Sequence, residues 1–169
     1  MGQQRPRFSA RIGGTQQGAF NFNVGTLPTS IPRTTNPNTS VTIYENTIAH
    51  AVLDPNFIGI KITTGDLGSY AYLVHVDFDV KQNTGSNKTY TLNIFRGSNG
   101  APAGIARPNQ SAGTLILGAN KSGEWGASWI IPPTPPGLDN NNAMLIQLAA
   151  DTNHSVQVQA CSFRIERLH

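Results

Sequence analysis

The polar side chains that can do chemistry in this sequence are few, and the most suggestive alternate along one stretch. His75, Asp77 and Asp79 occur at every second position of GSYAYLVHVDFDV. That spacing places three side chains on one face of a strand, about 7 Å apart. An imidazole and two carboxylates can share a divalent ion, but ligands in a straight row converge poorly on one centre. The pattern predicts a solvated polar face, with a shared metal ion as the alternative.

Other reactive residue types lack the context that catalysis needs. Cys161 is the only cysteine and stands in an apolar stretch, which excludes an intrachain disulfide and is typical of a buried thiol. His50, His154 and His169 have no motif around them, and the sequence has no Gly-x-Ser-x-Gly elbow. We therefore expect no enzymatic activity, no cofactor and no assigned metal.

Two further groups have the chemistry of ligand binding. Trp125 and Trp129 lie four residues apart in GEWGASWII, so they share a strand face and can stack on a sugar or a base. A buried pair or a subunit contact is the commoner arrangement. The run DNNN at 139–142 offers oxygen ligands for calcium, but turns favour the same residue types.

Apolar residues at every second position predict that strands carry these groups. The clearest series runs through Tyr70, Tyr72, Val74, Val76, Phe78 and Val80. Similar stretches predict strands at 41–45, 48–53, 57–63, 68–80, 90–95, 113–118, 126–131, 143–150 and 155–168. Breakers rich in Gly, Asn and Pro separate them. This regular spacing is typical of an all-β sandwich or barrel.

Two local patterns refine the predicted strands. The segment KQNTGSNK at 81–88 has the composition of a hairpin loop, so the strands on either side are predicted to be antiparallel neighbours. In the last strand the apolar residues change parity between Ala160 and Cys161. A bulge or burial on both faces is expected there.

Residues 1–40 differ from the rest of the chain in charge and composition. They hold four arginines and no acidic residue, whereas residues 41–169 hold eight basic and nine acidic residues. Their apolar residues are too sparse for a core of their own, so we predict an extended N-terminal attachment arm. The stretch FNFNV suits the addition of a strand to a neighbour's sheet. The predicted contact residues of the arm are Arg5, Arg7, Phe8, Arg11, Phe20 and Phe22.

Three stretches resemble the jelly-roll family of tumour necrosis factor and the complement globular head, a fold that also recurs in bacteriophage head and tail proteins. They are GSYAYLVHVDFDV, LNIFRGSNG and the closing CSFRIERL. The resemblance implies a jelly-roll β-sandwich over residues 41–169. It also implies a homotrimer, with Tyr70, Tyr72 and Phe163 as candidate core or threefold-interface positions.

These features together predict a viral structural protein. The expected role is a trimeric capsid decoration or cement protein on the capsid surface of a bacteriophage, assembled in the host cytoplasm and attached to the major capsid protein through the arm. One alternative is the receptor-binding tip of a tail or head fibre, joined to a shaft and binding a cell-surface glycan or protein. Another is a small-virus coat protein whose arm contacts RNA.

Two classes of partner are not expected. Four arginines in forty residues are a sparse supply of positive charge for a phosphate-binding tail, so nucleic acid is not predicted as a partner. The sequence also has no apolar run of membrane-spanning or signal-peptide length, so a membrane is not predicted either.

Overall fold

The computed structural model describes residues 4–14, 16–33, 36–64, 67–97, 110–133 and 142–168. Within them no helix is long and apolar enough to cross a bilayer. Two 3-10 turns, Gln16–Gly18 and Leu67–Ser69, interrupt a succession of strands. The strands are β1 (Arg7–Gly13), β2 (Phe20–Val24), β3 (Thr29–Ser30), β4 (Val41–Asn46), β5 (Ala51–Leu53), β6 (Gly59–Ile62), β7 (Tyr72–Gln82), β8 (Lys88–Gly97), β9 (Gln110–Leu117), β10 (Ser122–Ile131), β11 (Ala143–Ala150) and β12 (His154–Arg167).

The strands form two antiparallel six-stranded sheets. The first sheet has the order β10-β7-β12-β1-β4, and β2 pairs with β12 beside β1. The second has the order β5-β6-β11-β8-β9, and β3 pairs with β11. Every predicted strand between residues 41 and 168 is present, with ends that differ by a few residues. The prediction of an all-β jelly-roll sandwich is confirmed.

Side chains from the facing sides of the two sheets form one continuous core. On β7 the inward side chains are those that the alternation predicts, from Tyr72 to Val80 at every second residue, and all are buried. Alternation works here because a strand with one solvated face directs every second side chain inward. Tyr70 lies before the strand and is partly exposed.

The predicted N-terminal arm is instead part of the sandwich. Strand β1 lies between β12 and β4, and β2 continues along the same edge of β12. The division into an arm at 1–40 and a domain at 41–169 is therefore wrong for the described residues. Apolar residues are sparse in the leader because each of its strands has only one buried face. The rest of the chain forms the core against which these residues pack. Those buried are Phe8, Ala10, Ile12, Phe20, Phe22, Val24 and Ile31.

A bulge in β12 lets the leader follow it along its whole length. The pairing of β12 with β7 shifts register between Val158 and Ala160, which confirms the predicted bulge. Opposite the bulge, the Gly14 amide donates a hydrogen bond of 2.9 Å to the Gln159 carbonyl. Gly13 has a φ of 79°, and a Cβ there would lie 2.5 Å from that same oxygen. The two glycines thus form the turn that this bulge requires.

The prediction that β7 and β8 form a hairpin is wrong, because they belong to different sheets. Residues 83–87 cross from one sheet to the other. The buried Gln82 side chain organises this crossing: its amide nitrogen donates to the carbonyls of Ser86 at 2.7 Å and Gly118 at 2.8 Å, and its oxygen accepts from the Thr84 amide at 2.7 Å. One buried amide thus satisfies backbone groups that a hairpin ladder would otherwise pair.

The outer faces of the two sheets differ in polarity. All eight residues of β11 are buried, and on its outer side Ala143 and Leu145 pack with Phe95 and Phe57 in a small second cluster. The outer face of the first sheet carries charged and hydroxyl side chains that are exposed or partly exposed. The first sheet is therefore where an accessible polar site can lie.

Phe8 tests whether the leader belongs to the core. Its ring is fully buried and stacks on Phe163 with centroids 5.9 Å apart. We expect Phe8→Ala to lower the free energy of unfolding by about 3–5 kcal/mol, the usual effect of truncating a core phenylalanine. Urea denaturation followed by tryptophan fluorescence measures this change.

The matched control is Leu27→Ala, because Leu27 is 73% exposed. Its free energy of unfolding should stay within about 0.5 kcal/mol of the wild type. An unchanged urea midpoint for Phe8→Ala would contradict the assignment of the leader to the core.

Candidate assembly surface

The outward side chains of four neighbouring strands form one flat surface, which we call the polar face. Strand pairing sets them in rows: Ser128, His75, Arg164 and Ser9 follow one another across β10, β7, β12 and β1. The next row contains Gly126, Asp77, Ser162 and Arg11. The polar face comprises Ser9, Arg11, His75, Asp77, Asp79, Glu124, Ser128, Ser162 and Arg164.

Charge on the polar face is separated by strand. The carboxylates of Asp77, Asp79 and Glu124 lie on the adjacent strands β7 and β10. The guanidinium groups of Arg11 and Arg164 lie on the adjacent strands β1 and β12. We call these two groups the acidic half and the basic half; on the same side of the sheet, Lys81 on β7 and Glu166 on β12 carry the opposite charge.

The two halves meet at a groove of about 370 Å³, lined by Arg11, Asp77, Asp79, Glu124 and Ser162 among others. Partial burial raises the pKa of Asp79 above its ordinary value, and the neighbouring Glu124 carboxylate raises it further. The positive charge of Arg11 acts in the opposite direction. Negative charge is thus crowded here and only partly balanced from within the chain.

His75 is held by its neighbours on the polar face. One ring nitrogen, Nε2, lies 3.2 Å from a carboxylate oxygen of Asp77, and the other, Nδ1, lies 2.5 Å from the Ser128 hydroxyl. Among the described residues no three His, Cys, Asp or Glu side chains are grouped so as to hold a metal ion. The row of His75, Asp77 and Asp79 forms part of a polar surface.

At the far edge of the first sheet, β4 presents apolar side chains to solvent. Val41, Ile43 and Tyr44 are 44%, 50% and 66% exposed, and the outer edge of β4 pairs with no other described strand. A bulge between Ser9 and Ala10 shifts the register with β4. Tyr44 lies in a second groove of about 270 Å³ together with Ser9, His75 and Arg164 of the polar face. Tyr44 therefore extends the polar face, whereas Val41 and Ile43 pair with Ile12 and Ala10 and so lie on the opposite, core-facing side of the sheet.

The structure separates the predicted arm residues into two groups. Phe8, Phe20 and Phe22 are buried, so the prediction that they contact a capsid is wrong. Arg5 and Arg7 lie 3.4 Å and 3.0 Å from the carboxylate of Glu166 and form ion pairs with it. Arg11 is exposed on the polar face. Only Arg11 therefore contributes to the surface described here.

The three predicted threefold-interface residues also divide. Tyr72 and Phe163 are buried in the core of this chain, so they are core positions and make no subunit contact. Tyr70 is 38% exposed, and the guanidinium of Arg167 lies 4.5 Å from the centroid of its ring. Tyr70 thus remains accessible, at a place separate from the polar face.

The remaining candidate residues of the sequence are either packed in the fold or outside the described residues. Trp125 is partly buried against the core, whereas the side chain of Trp129 lies outside the described part of the chain, as do residues 139–141 and His169. Burial and the nearby Asp77 raise the pKa of the Cys161 thiol far above its ordinary value. The prediction of a buried thiol is confirmed.

Sequence reasoning missed Ser162 and Arg164 on β12 and Glu124 on β10 as members of the polar face. Ser162 and Arg164 occupy the alternate positions of CSFRIERL, and Glu124 alternates with Trp125 in the same way. Parity places each of them outward. Their convergence with His75 and Asp77 depends on the order of the strands, which periodicity does not give.

Comparisons with known proteins identify the fold. No family model matches the chain, and no curated protein sequence does. Among solved structures, the chain is similar to Eiger TNF from S. frugiperda, with a TM-score of 0.51 and 11% identity over 98% of this chain and 94% of that one. It is also similar to the PRD1 vertex protein P5, with a TM-score of 0.51 and 15% identity over 99% of this chain and all of the other. The chain therefore has a jelly-roll fold similar to that of these two proteins, which confirms the resemblance at the level of fold.

The raised pKa of Asp79 can be altered through its neighbours. We expect Glu124→Gln to lower this pKa by removing a repelling charge, and Arg11→Gln to raise it by removing an attracting one. Carbon-13 NMR of the Asp79 carboxyl group during a pH titration measures both shifts. An unchanged titration in both variants would contradict the crowding of charge in the groove.

The same pKa shift affects stability. The folded chain holds the Asp79 proton at a higher pH than the unfolded chain, whose pKa is about the ordinary 3.8. The Asp79 contribution to the free energy of unfolding therefore falls as the pH rises from that value through the raised pKa. Urea denaturation at several pH values should show this loss reduced in Glu124→Gln.

Proposed function

We propose that this chain is a structural protein of a virus particle, a capsid decoration protein that assembles as a homotrimer through its polar face and stabilises a shell of major capsid protein. Its fold, which recurs in bacteriophage head and tail proteins and is similar to that of the vertex protein P5, supports the general class. The single observation that carries the assembly is the separation of charge across the polar face beside the exposed edge of β4.

Separated charge suits a contact between copies of the same chain. In a closed ring each subunit uses two different surfaces, one toward each neighbour. Strands β7 and β10 of one copy then face β1 and β12 of the next, so that Asp77, Asp79 and Glu124 approach Arg11 and Arg164. Exposed ion pairs contribute only about 0.2–1 kcal/mol each, so these charges orient the subunits and contribute little of the affinity.

The exposed Tyr44 side chain on the edge strand β4 supplies affinity to this contact. An exposed strand edge with apolar side chains promotes association, and proteins that remain monomeric normally protect such edges. Tyr44 lies beside the basic half of the polar face, so a neighbour that docks there covers it. Its burial contributes about 25 cal/mol for each Å² of apolar surface removed from water.

Attachment to the capsid proceeds through folded surface. The leader cannot serve as a free strap while Phe8, Phe20 and Phe22 are in the core and Arg5 and Arg7 are held by Glu166. The same contacts argue against a coat protein with an RNA-binding arm, because the leader is not a free arm.

One other role has support from a specific feature. A cavity lined by Tyr70 and Arg167 among others favours the receptor-binding tip of a fibre.

Charge reversal tests the assembly. We expect the wild type to have three times the chain mass in size-exclusion chromatography with light scattering. The variant Asp77→Lys/Asp79→Lys/Glu124→Lys should be monomeric, and so should Arg11→Glu/Arg164→Glu, because each brings like charges together at every contact. The control Lys61→Glu changes the charge of the second sheet and should remain trimeric.

Combining the two sets of substitutions distinguishes a ring from a nonspecific effect. A chain that carries both sets restores opposite charges at every contact and should again be trimeric. A mixture of the two monomeric variants should form dimers of one copy of each. A ring of three would contain one contact between two copies of the same variant, where like charges meet. A monomeric wild type, or a trimer that persists in both charge-reversal variants, would contradict the proposed contact.

The virion role needs a test of its own. We expect electron microscopy of particles that contain this chain to show threefold knobs on the capsid surface. Density at the end of a fibre would support the receptor-binding role instead. Particles without density for the chain would contradict both.

A further inference from the structure

A cavity of about 240 Å³ lies where the ends of several strands meet, away from the polar face. Its walls come from the turn before β5, the end of β6, the turn before β7 and the end of β12. Ile48, Ile62 and Leu67 supply an apolar lining. His50, Tyr70 and Arg167 supply aromatic and cationic groups to its lining, and Thr64 and Ser69 supply hydroxyls. The assembly described above does not use this cavity.

Arg167 is presented to the cavity with its charge unneutralised by the described residues. Its guanidinium lies 4.5 Å from the centroid of Tyr70, an attractive stacking contact between a cation and an aromatic ring. Among the residues that the structure describes, no carboxylate forms an ion pair with it. A stacked guanidinium keeps its N–H groups in the plane of the group, where they can bind a carboxylate by two parallel hydrogen bonds.

A second, buried arginine holds the aromatic wall in place. Arg96 donates hydrogen bonds to the carbonyls of Leu67 at 2.6 Å and Tyr70 at 2.7 Å, and also to the carbonyl of Pro132. Its guanidinium lies 5.6 Å from the ring of Tyr72. The backbone that carries Tyr70 is thus fixed before any ligand arrives, which reduces the entropy lost on binding.

We propose that the cavity binds an acidic sugar, with the carboxylate on Arg167, the apolar face of the ring against Tyr70 and the apolar lining, and hydroxyls near Ser69 and Thr64. The cavity is smaller than the pockets of about 300–1,000 Å³ that hold drug-sized ligands, so it accommodates a single sugar ring. A carboxylated residue of a surface glycan is the source that this chemistry fits.

Two sugars that differ in one group test the proposal. Glucuronic acid and methyl glucoside share a pyranose ring, but only the first carries a carboxylate. We expect glucuronate to shift the amide resonances of Tyr70 and Arg167 in nitrogen-15 NMR titrations of the full chain, and to bind about tenfold more tightly than methyl glucoside. Equal binding of the two sugars would overturn the role of Arg167.

Substitutions at Arg167 and Tyr70 test the contributions of the guanidinium charge and of the aromatic ring to glucuronate binding separately. Arg167→Gln should weaken glucuronate binding about tenfold, and Arg167→Lys should fall between it and the wild type. Tyr70→Phe keeps the ring and should bind as the wild type does, whereas Tyr70→Ala should not. Circular dichroism checks that each variant is folded. Wild-type affinity in a folded Arg167→Gln chain would overturn the proposal.

Two controls distinguish the sugar site from simple anion binding and from the subunit contact. Sodium acetate tests a free anion: if it binds as tightly as glucuronate, the sugar ring contributes nothing and the proposal fails. Arg164→Gln removes an equal charge from the polar face, so it should leave glucuronate binding unchanged whether or not the chain remains trimeric. The sugar site and the subunit contact can therefore fail separately.

Discussion

The pairing of β12 along its whole length is the constraint on which the rest of this structure depends. Its 14 residues bond to β7 on one edge and to β1 and β2 on the other. Strands β1 and β2 follow one another along the same edge of β12. The change from one to the other falls at the bulge near Gln159, opposite the turn at Gly13 and Gly14. This pairing places Arg11 beside Ser162 and Arg164, and so creates the basic half of the polar face.

The strands of residues 41–168 could be predicted from sequence because each has one face in the core and one in water. From Tyr72 to Val80 alternation alone identifies the buried set. The same signal is present in FNFNV, but its pattern is equally compatible with another protein's sheet, and the acceptor is β12 of the same chain. Periodicity identifies a strand that needs a partner, and it does not identify the partner.

The candidate surface is only half visible in the sequence for a related reason. His75, Asp77 and Asp79 are close in sequence, so their row is evident. Arg11 and Ser162 are paired in the sheet, but they lie near opposite ends of the sequence. In place of the hairpin predicted between β7 and β8, the chain crosses from one sheet to the other, and the buried amide of Gln82 stabilises this crossing. The turn composition of residues 83–87 suits either kind of connection.

The union of β1 with β12 also has a consequence for how the protein is made. Residues 7–13 leave the ribosome long before residues 160–166, so β1 can pair early with β4 but gains its pairing with β12 only when these late residues appear. Contacts between such distant segments slow folding, since a long loop must close before they form. Until then the core around Phe8, Ala10 and Ile12 lacks its β12 side, and polar residues such as Ser9 and Arg11 between apolar ones are of the kind that limits aggregation. The alternation in the leader is thus suited to the period of synthesis as well as to forming a surface afterwards.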